Sequence, residues 1–196
     1  KKIENKGEVL AWSMYDFANQ PFTNLVVTFI YGTFFTTVIA ANEIVGTQQW
    51  SHAVSITAII VALLSPLMGS LADKGGYRKM FMLGFTWLTI IATTVLYFVL
   101  PGEILRALFW FVIANIGFEM GSVFCNAYLP DISHSKNIGR ISGYGWSLGY
   151  VGGLIALALA MVFLIQTDTP IFDFAKGELG AYENIRATNL LVAIWF

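Results

Sequence analysis

The chain gathers its apolar residues into long runs that carry almost no charge, at about 10–41, 51–72, 79–100, 104–128, 141–165 and from 187 onward. A helix rises about 1.5 Å per residue, so about 20 residues match the roughly 30 Å hydrocarbon core of a bilayer. A helix in a soluble core would instead show a polar face. Charged residues make up 12% of the chain and hydrophobic ones 57%, against roughly a quarter charged in an ordinary soluble domain. The expected fold class is therefore all-α integral membrane, one bundle over 1–196.

The ends of the runs shape two further expectations. The first run is too long for a cleavable leader and lacks a small-residue cleavage pattern, so it reads as a membrane span. The last, "ATNLLVAIWF", offers ten residues before Phe196, about half of what a crossing needs. A truncated sixth helix and an amino-terminal fragment of a longer protein are expected. Cys125 is the one cysteine; it has no intramolecular disulfide partner, and no paired metal ligands or phosphate loop accompany it. No cofactor, metal, nucleic-acid partner or direct ATP drive is expected.

Lysine and arginine sort by side. Lys1, Lys2, Lys6, Lys74, Arg78, Lys79, Lys136 and Arg140 fall on one side, and Arg106, Lys176 and Arg186 on the other. Eight against three places the amino terminus in the cytoplasm by the positive-inside rule. The connection "QTDTPIFDFAKGELGAYENIR", marked by Pro170, then lies outside and is expected to hold a short surface helix. Trp12 and Trp50 are expected as interface anchors.

The turn "GSLADKGGYRK", Gly69 to Lys79, has its own physical logic. Gly69 would let another backbone approach, Gly75 and Gly76 permit a tight turn, and Asp73 sits among Lys74, Arg78 and Lys79. As a plain positive-inside turn it needs no further role. It also resembles the signature G-x-x-x-D-[RK]-x-G-R-[RK] between helices 2 and 3 of the major facilitator superfamily, with Tyr77 where the pattern has its first arginine. The resemblance implies that Gly69, Asp73, Lys74, Gly76, Arg78 and Lys79 form a conformational latch between two halves on the cytoplasmic side.

"WSMYDFANQPF", Trp12 to Phe22, sharpens the match. Trp12, Tyr15, Asp16, Ala18, Asn19 and Phe22 resemble the first-helix signature of the unknown major facilitator branch, related to the yeast vacuolar amino-acid effluxers. "FCNAYLPDIS" and "GRISGYGWSLGYVGG" are similar to that branch as well. The resemblance implies the amino-terminal six-helix bundle of a twelve-helix transporter. Its partners would be a small-molecule substrate, protons, the lipid bilayer and a missing carboxy-terminal six-helix half. The expected location is a bacterial inner or plasma membrane. An inverted repeat of three helices plus three suits this layout, although no internal sequence match supports it.

Several residues are candidates for the solute or proton pathway. Asp16, with Asn19 and Gln20, lies about one turn inside the first helix, near water, where a carboxylate costs less than at mid-bilayer. It suits either an anchor to a neighbouring helix or a contact at a cavity mouth. Pro21 removes a backbone hydrogen bond and clashes with the preceding turn, so the helix should kink near Phe17 to Pro21. Its freed carbonyls are tolerable only against protein or a wet cavity. Glu119 sits roughly midway along the fourth run, where an ionisable group is a functional candidate by default. The protonated form is the cheaper one there, as proton coupling requires; a hydrogen bond between helices is the plainer role. Asn115 and Asn126, four and seven residues away, join the candidate pathway and also suit bonding between helices.

Gly145, Gly149 and Gly153, with Gly152 alongside, line one face of the fifth run and are expected to pack closely against a neighbour. They resemble the glycine-rich fifth-helix motif of superfamily antiporters, but without its proline and one residue shorter. The expected function is secondary active transport of a small solute by alternating access, with proton coupling and amino-acid cargo as its finer form. A non-transporting receptor or assembly subunit is the alternative. A membrane-embedded enzyme using Asp16 and Glu119 is disfavoured, because their depths differ by about 10 Å or more.

Overall fold

A computed structural model describes residues 6–168 and 171–196; Lys1, Lys2 and Pro170 lie outside the described residues. No strand occurs among the described residues, and the helices run α1 Lys6–Ile39, α2 Glu43–Gly75, α3 Arg78–Leu96, α4 Ile104–Ile132, α5 Ile138–Ile165 and α6 Glu183–Trp195. The first five are long and apolar enough to cross a membrane. Helix α6 has 13 residues, about 20 Å of helix at 1.5 Å each.

The observed ends differ from the apolar runs for local reasons. Helix α2 begins at Glu43, well before the apolar stretch, because the Asn42 side chain caps it by accepting from the Val45 amide at 2.9 Å. It stops at Gly76, whose φ of 68° is open to glycine at little cost. Helix α4 is regular to Asn126, turns at Ala127 and Tyr128, and resumes over Leu129–Ile132. The described residues of the long connection 166–182 hold short one-turn helices at Ile171–Asp173 and Glu178–Gly180.

Helix α1 is the irregular member. It is α-helical over Lys6–Pro21, widens into π turns over Phe22–Phe29, bends at Ile30, and widens again over Phe35–Ile39. Wide turns hand each amide to a carbonyl five residues back, as Ile30 N–H does to Leu25 O at 3.2 Å. Aromatic mass fills the space around this half. Trp50 stacks on Phe111 with centroids 3.9 Å apart, and Phe35 lies 5.2 Å from Trp50. Phe22, Leu25, Tyr31, Phe35 and Phe111 are fully buried there.

The main packings are α1 on α5, α3 on α4, α2 on α4 and α3 on α6. Helix α2 presents Ile56, Ile59, Leu63, Leu67 and Leu71 on its open side. Two smaller apolar clusters close the amino-terminal face, one around Trp12, Cys125 and Ile141, the other around Ala72, Met120 and Phe124. Trp12 and Trp50 are buried instead of lying at the interface. The indole of Trp12 donates to Cys125 O at 2.9 Å and that of Trp50 to Val27 O at 3.2 Å. A ring that can satisfy a carbonyl in the interior gains more there than at the membrane surface.

A methyl placed on Gly69 would meet nothing within 4 Å, so no backbone approaches it among the described residues. The close approaches fall on α5. A methyl at Gly152 would strike the Phe17 carbonyl, whereas one at Gly143, on the same helix, would meet nothing within 4 Å. Gly152→Ala is expected to lose about 1–3 kcal/mol through overpacking, and Gly143→Ala to gain up to about 1 kcal/mol of helix propensity. Unfolding midpoints of the two variants in one detergent check the contrast.

Candidate functional site

The amino-terminal half of α1 is wedged between α4 and α5, and its polar residues divide into two rows. Trp12, Tyr15 and Asn19 face α3 and α4. The Tyr15 and Thr86 hydroxyls lie 3.0 Å apart, and Asn19 Nδ2 donates to Ser122 Oγ at 3.4 Å. A methyl at Gly121 would come within 2.6 Å of the Tyr15 hydroxyl, so α4 is bare there to let the tyrosine pass.

Asp16, Gln20 and Asn24, four residues apart, form the second row and face α5. A methyl at Gly145 would lie 2.7 Å from Asp16 Oδ2 and 2.6 Å from the Trp12 ring; Gly149 rests on Asp16 itself, Gly152 on Phe17, and Gly153 on Gln20 and Asn24. Small residues let two backbones come close. Here they also leave room for side chains that a leucine ladder would push away. Asp16 is half-buried and has no hydrogen bond or ion pair with any described residue. Asn24 belongs to this row and escaped the sequence reading; its spacing of four from Gln20 was the signal.

On α4, Asn115, Glu119, Ser122 and Asn126 stand at intervals of four, three and four, which keeps them on one side of the helix. Asn115 is buried, Glu119 and Asn126 are exposed, and Glu119 pairs with no described residue. The bond between helices on this row is made by Ser122 with Asn19, while Asn115 and Asn126 make none among the described residues.

Of the turn residues, the structure brings together Asp73 and Arg78 and adds Asp131 from the end of α4. Arg78 Nε is 2.6 Å from Asp73 Oδ1, its Nη1 is 2.9 Å from Asp131 Oδ2, and Nη1 also donates to Ala127 O at 3.5 Å. Lys74 and Lys79 are exposed and reach no described partner, and Gly76 supplies the left-handed cap. Exposed pairs of this kind contribute about 0–1 kcal/mol. Their effect is to fix the α2–α3 turn against the break in α4. Asp131 sits in the "YLPDIS" stretch, but nothing in its spacing pointed to Arg78.

The opposite face has a clamp of its own. Arg186 is buried in α6, donating from Nε to Ala181 O at 2.9 Å and from Nη1 to Tyr97 O at 2.6 Å, with its guanidinium 5.4 Å over the Tyr97 ring. The Tyr97 hydroxyl donates to Glu183 Oε1 at 2.7 Å, and the Ala175 amide to Glu183 Oε2 at 3.2 Å. The Tyr97 bond, then the Ala175 amide, hold the Glu183 carboxyl below its usual range, and the same bond raises the Tyr97 phenol. Glu103 is held low by the Leu100 amide and by Arg106, 3.1 Å away. An arginine at the threshold of the last apolar run, three residues after an acid, was the available signal for this clamp.

Two polar rows on α1, an acid on the open side of α4 and a charged turn are thus set in a bundle whose first five helices are long and apolar enough to cross a membrane. Residues 50–196 match the family model described as vacuole effluxer Atg22 like. The chain belongs to that family. It is an integral, multi-pass membrane protein with the all-helical build of a major facilitator fold. Among relatives of this Atg22-like chain is the uncharacterized MFS-type transporter YxiO of Bacillus subtilis, 28% identical over 178 residues, covering 88% of this chain and 42% of that protein. An uncharacterized protein of Aquifex aeolicus is 33% identical over 186 residues, covering 88% and 47%. Autophagy-related protein 22 of Coccidioides immitis is 35% identical over 79 residues, covering 40% and 13%. The chain spans less than half the length of these relatives. No solved structure matches it.

The clamp generates a pH dependence. A carboxyl whose folded pKa is lowered stabilises the fold above its unfolded value, about 4.3, and that contribution is lost as pH falls through the folded value. Protection of the Ala175 amide against hydrogen exchange, corrected for intrinsic rates, is expected to fall below about pH 4. In Glu183→Gln the protection at neutral pH should be reduced and its fall on acidification absent.

Proposed function

We propose that the chain forms the amino-terminal six-helix half of a secondary transporter that moves a small solute by alternating access, with its amino terminus in the cytoplasm of a bacterial cell. The family, and the name MFS-type transporter carried by the Bacillus subtilis relative, support transport as the activity. The extent of the match to relatives about twice as long supports a second half that completes the pathway.

The observation that carries the reading is Glu119. A carboxyl at the middle of a span, exposed on the free side of α4 and paired with no described residue, is costly in lipid. It is tolerable if it faces a wet path that a second half encloses. Glu119 then takes and releases a proton with each change of access, while Asp16, Asn19, Gln20, Asn115 and Asn126 line the approach. Asp73 and Arg78, joined by Asp131, hold one access state by fixing the turn on the cytoplasmic side. Amino acids are the cargo class to assay first, because members of the yeast branch that the first helix resembles are amino-acid effluxers.

The full-length protein in proteoliposomes, given a pH gradient and a radiolabelled amino-acid mixture, tests this. Glu119→Gln is expected to abolish gradient-driven accumulation while leaving exchange at equal pH measurable. Accumulation that persists in the variant with an unchanged pH profile would refute the coupling role.

A further inference from the structure

We infer that Trp195 and Trp50 are positioning residues that hold α1 in its broken form, each by bonding a carbonyl next to a break, and so set where the Asp16–Gln20–Asn24 row meets α5. The inference rests on the reading of that row as part of the solute path.

The first bond follows from Pro21. Proline has no amide hydrogen, so the carbonyl four residues back, Phe17 O, cannot receive its helical bond from position 21. That carbonyl lies inside the bundle, pressed against Gly152 of α5. Trp195 Nε1 of α6 donates to it at 3.2 Å, and the Trp195 ring lies tilted on Phe17, centroids 5.4 Å apart. A carbonyl without a donor in such surroundings costs several kcal/mol, and the indole supplies that donor. The sequence left protein or a wet cavity open for the freed carbonyl; for Phe17 O the partner is the Trp195 indole.

The second bond is at the far end of the widened stretch. Trp50 Nε1 of α2 donates to Val27 O at 3.2 Å, three residues before the bend at Ile30. Gly32 lies beyond the bend, where a methyl would come within 2.7 Å of the same Val27 O and 3.3 Å of the Trp50 ring. Two indoles from different helices thus pin α1, one just before its wide turns and one near their far end. If α1 straightened, both carbonyls would turn back toward its own backbone and both bonds would break. The rod bearing Asp16 and Gln20 would then rotate relative to Gly145, Gly149 and Gly153.

A double-mutant cycle isolates the first bond. In Pro21→Ala the new amide can serve Phe17 O, so Trp195→Phe should lower the unfolding midpoint of the full-length protein much less in that background than in the native one. Replacing Trp195 by 3-benzothienylalanine keeps the fused ring and removes only the N–H. It should speed labelling by N-ethylmaleimide of a cysteine placed at Gln20 in a Cys125→Ala background several-fold. Equal losses in both Pro21 backgrounds, or labelling that the benzothienyl ring leaves unchanged, would overturn the inference. Neither readout depends on transport, so failure here is distinct from failure of the Glu119 assay.

Discussion

Lipid offers no hydrogen bonds, and the consequence that organises this molecule is that every break in a helix must be answered by a donor from another helix. Helix α1 breaks at Pro21 and again at Ile30, and α4 breaks after Asn126. Each break has a tryptophan indole beside it: Trp195 on Phe17 O, Trp50 on Val27 O and Trp12 on Cys125 O. These three bonds link α6 to α1, α2 to α1 and α1 to α4. The irregular helix is therefore the one most tied to its neighbours, and the bundle is assembled around it.

With α1 held in this way, the glycines of α5 acquire a specific meaning. A helix carrying a carboxylate, two amides and a proline can approach another backbone only where that backbone has no side chains. Gly145, Gly149, Gly152 and Gly153 meet Asp16, Phe17, Gln20 and Asn24 one after another. Close packing and the placing of polar groups are thus a single feature. Helix α4 is organised differently, with Asn19 drawn to Ser122 on one flank and Glu119 left on the open side.

The two ends of the bundle are fastened by charge of different kinds. Arg78 bridges Asp73 and Asp131 in an exposed setting, where screening keeps the energy small and geometry is the main result. Arg186 is buried and bonds carbonyls, so removing its partners would strand a charge. The first arrangement therefore adds little stability of its own. The second ties α6, Ala175 and Ala181 to Tyr97 at the end of α3.

Apolar runs and their length were enough to read a helical membrane bundle, because hydrophobicity and the 1.5 Å rise act along the chain one segment at a time. The "GSLADKGGYRK" turn, the Trp12–Phe22 stretch and the acid at Glu119 were likewise visible as residues out of place in lipid. Partners were not visible. That Trp195 reaches Phe17 across 178 positions, that Asp131 completes the Arg78 bridge, and that Trp12 and Trp50 are interior donors depend on which helices come to lie side by side. Sequence spacing sets which face of a helix a residue occupies; only the packed bundle decides what that face meets.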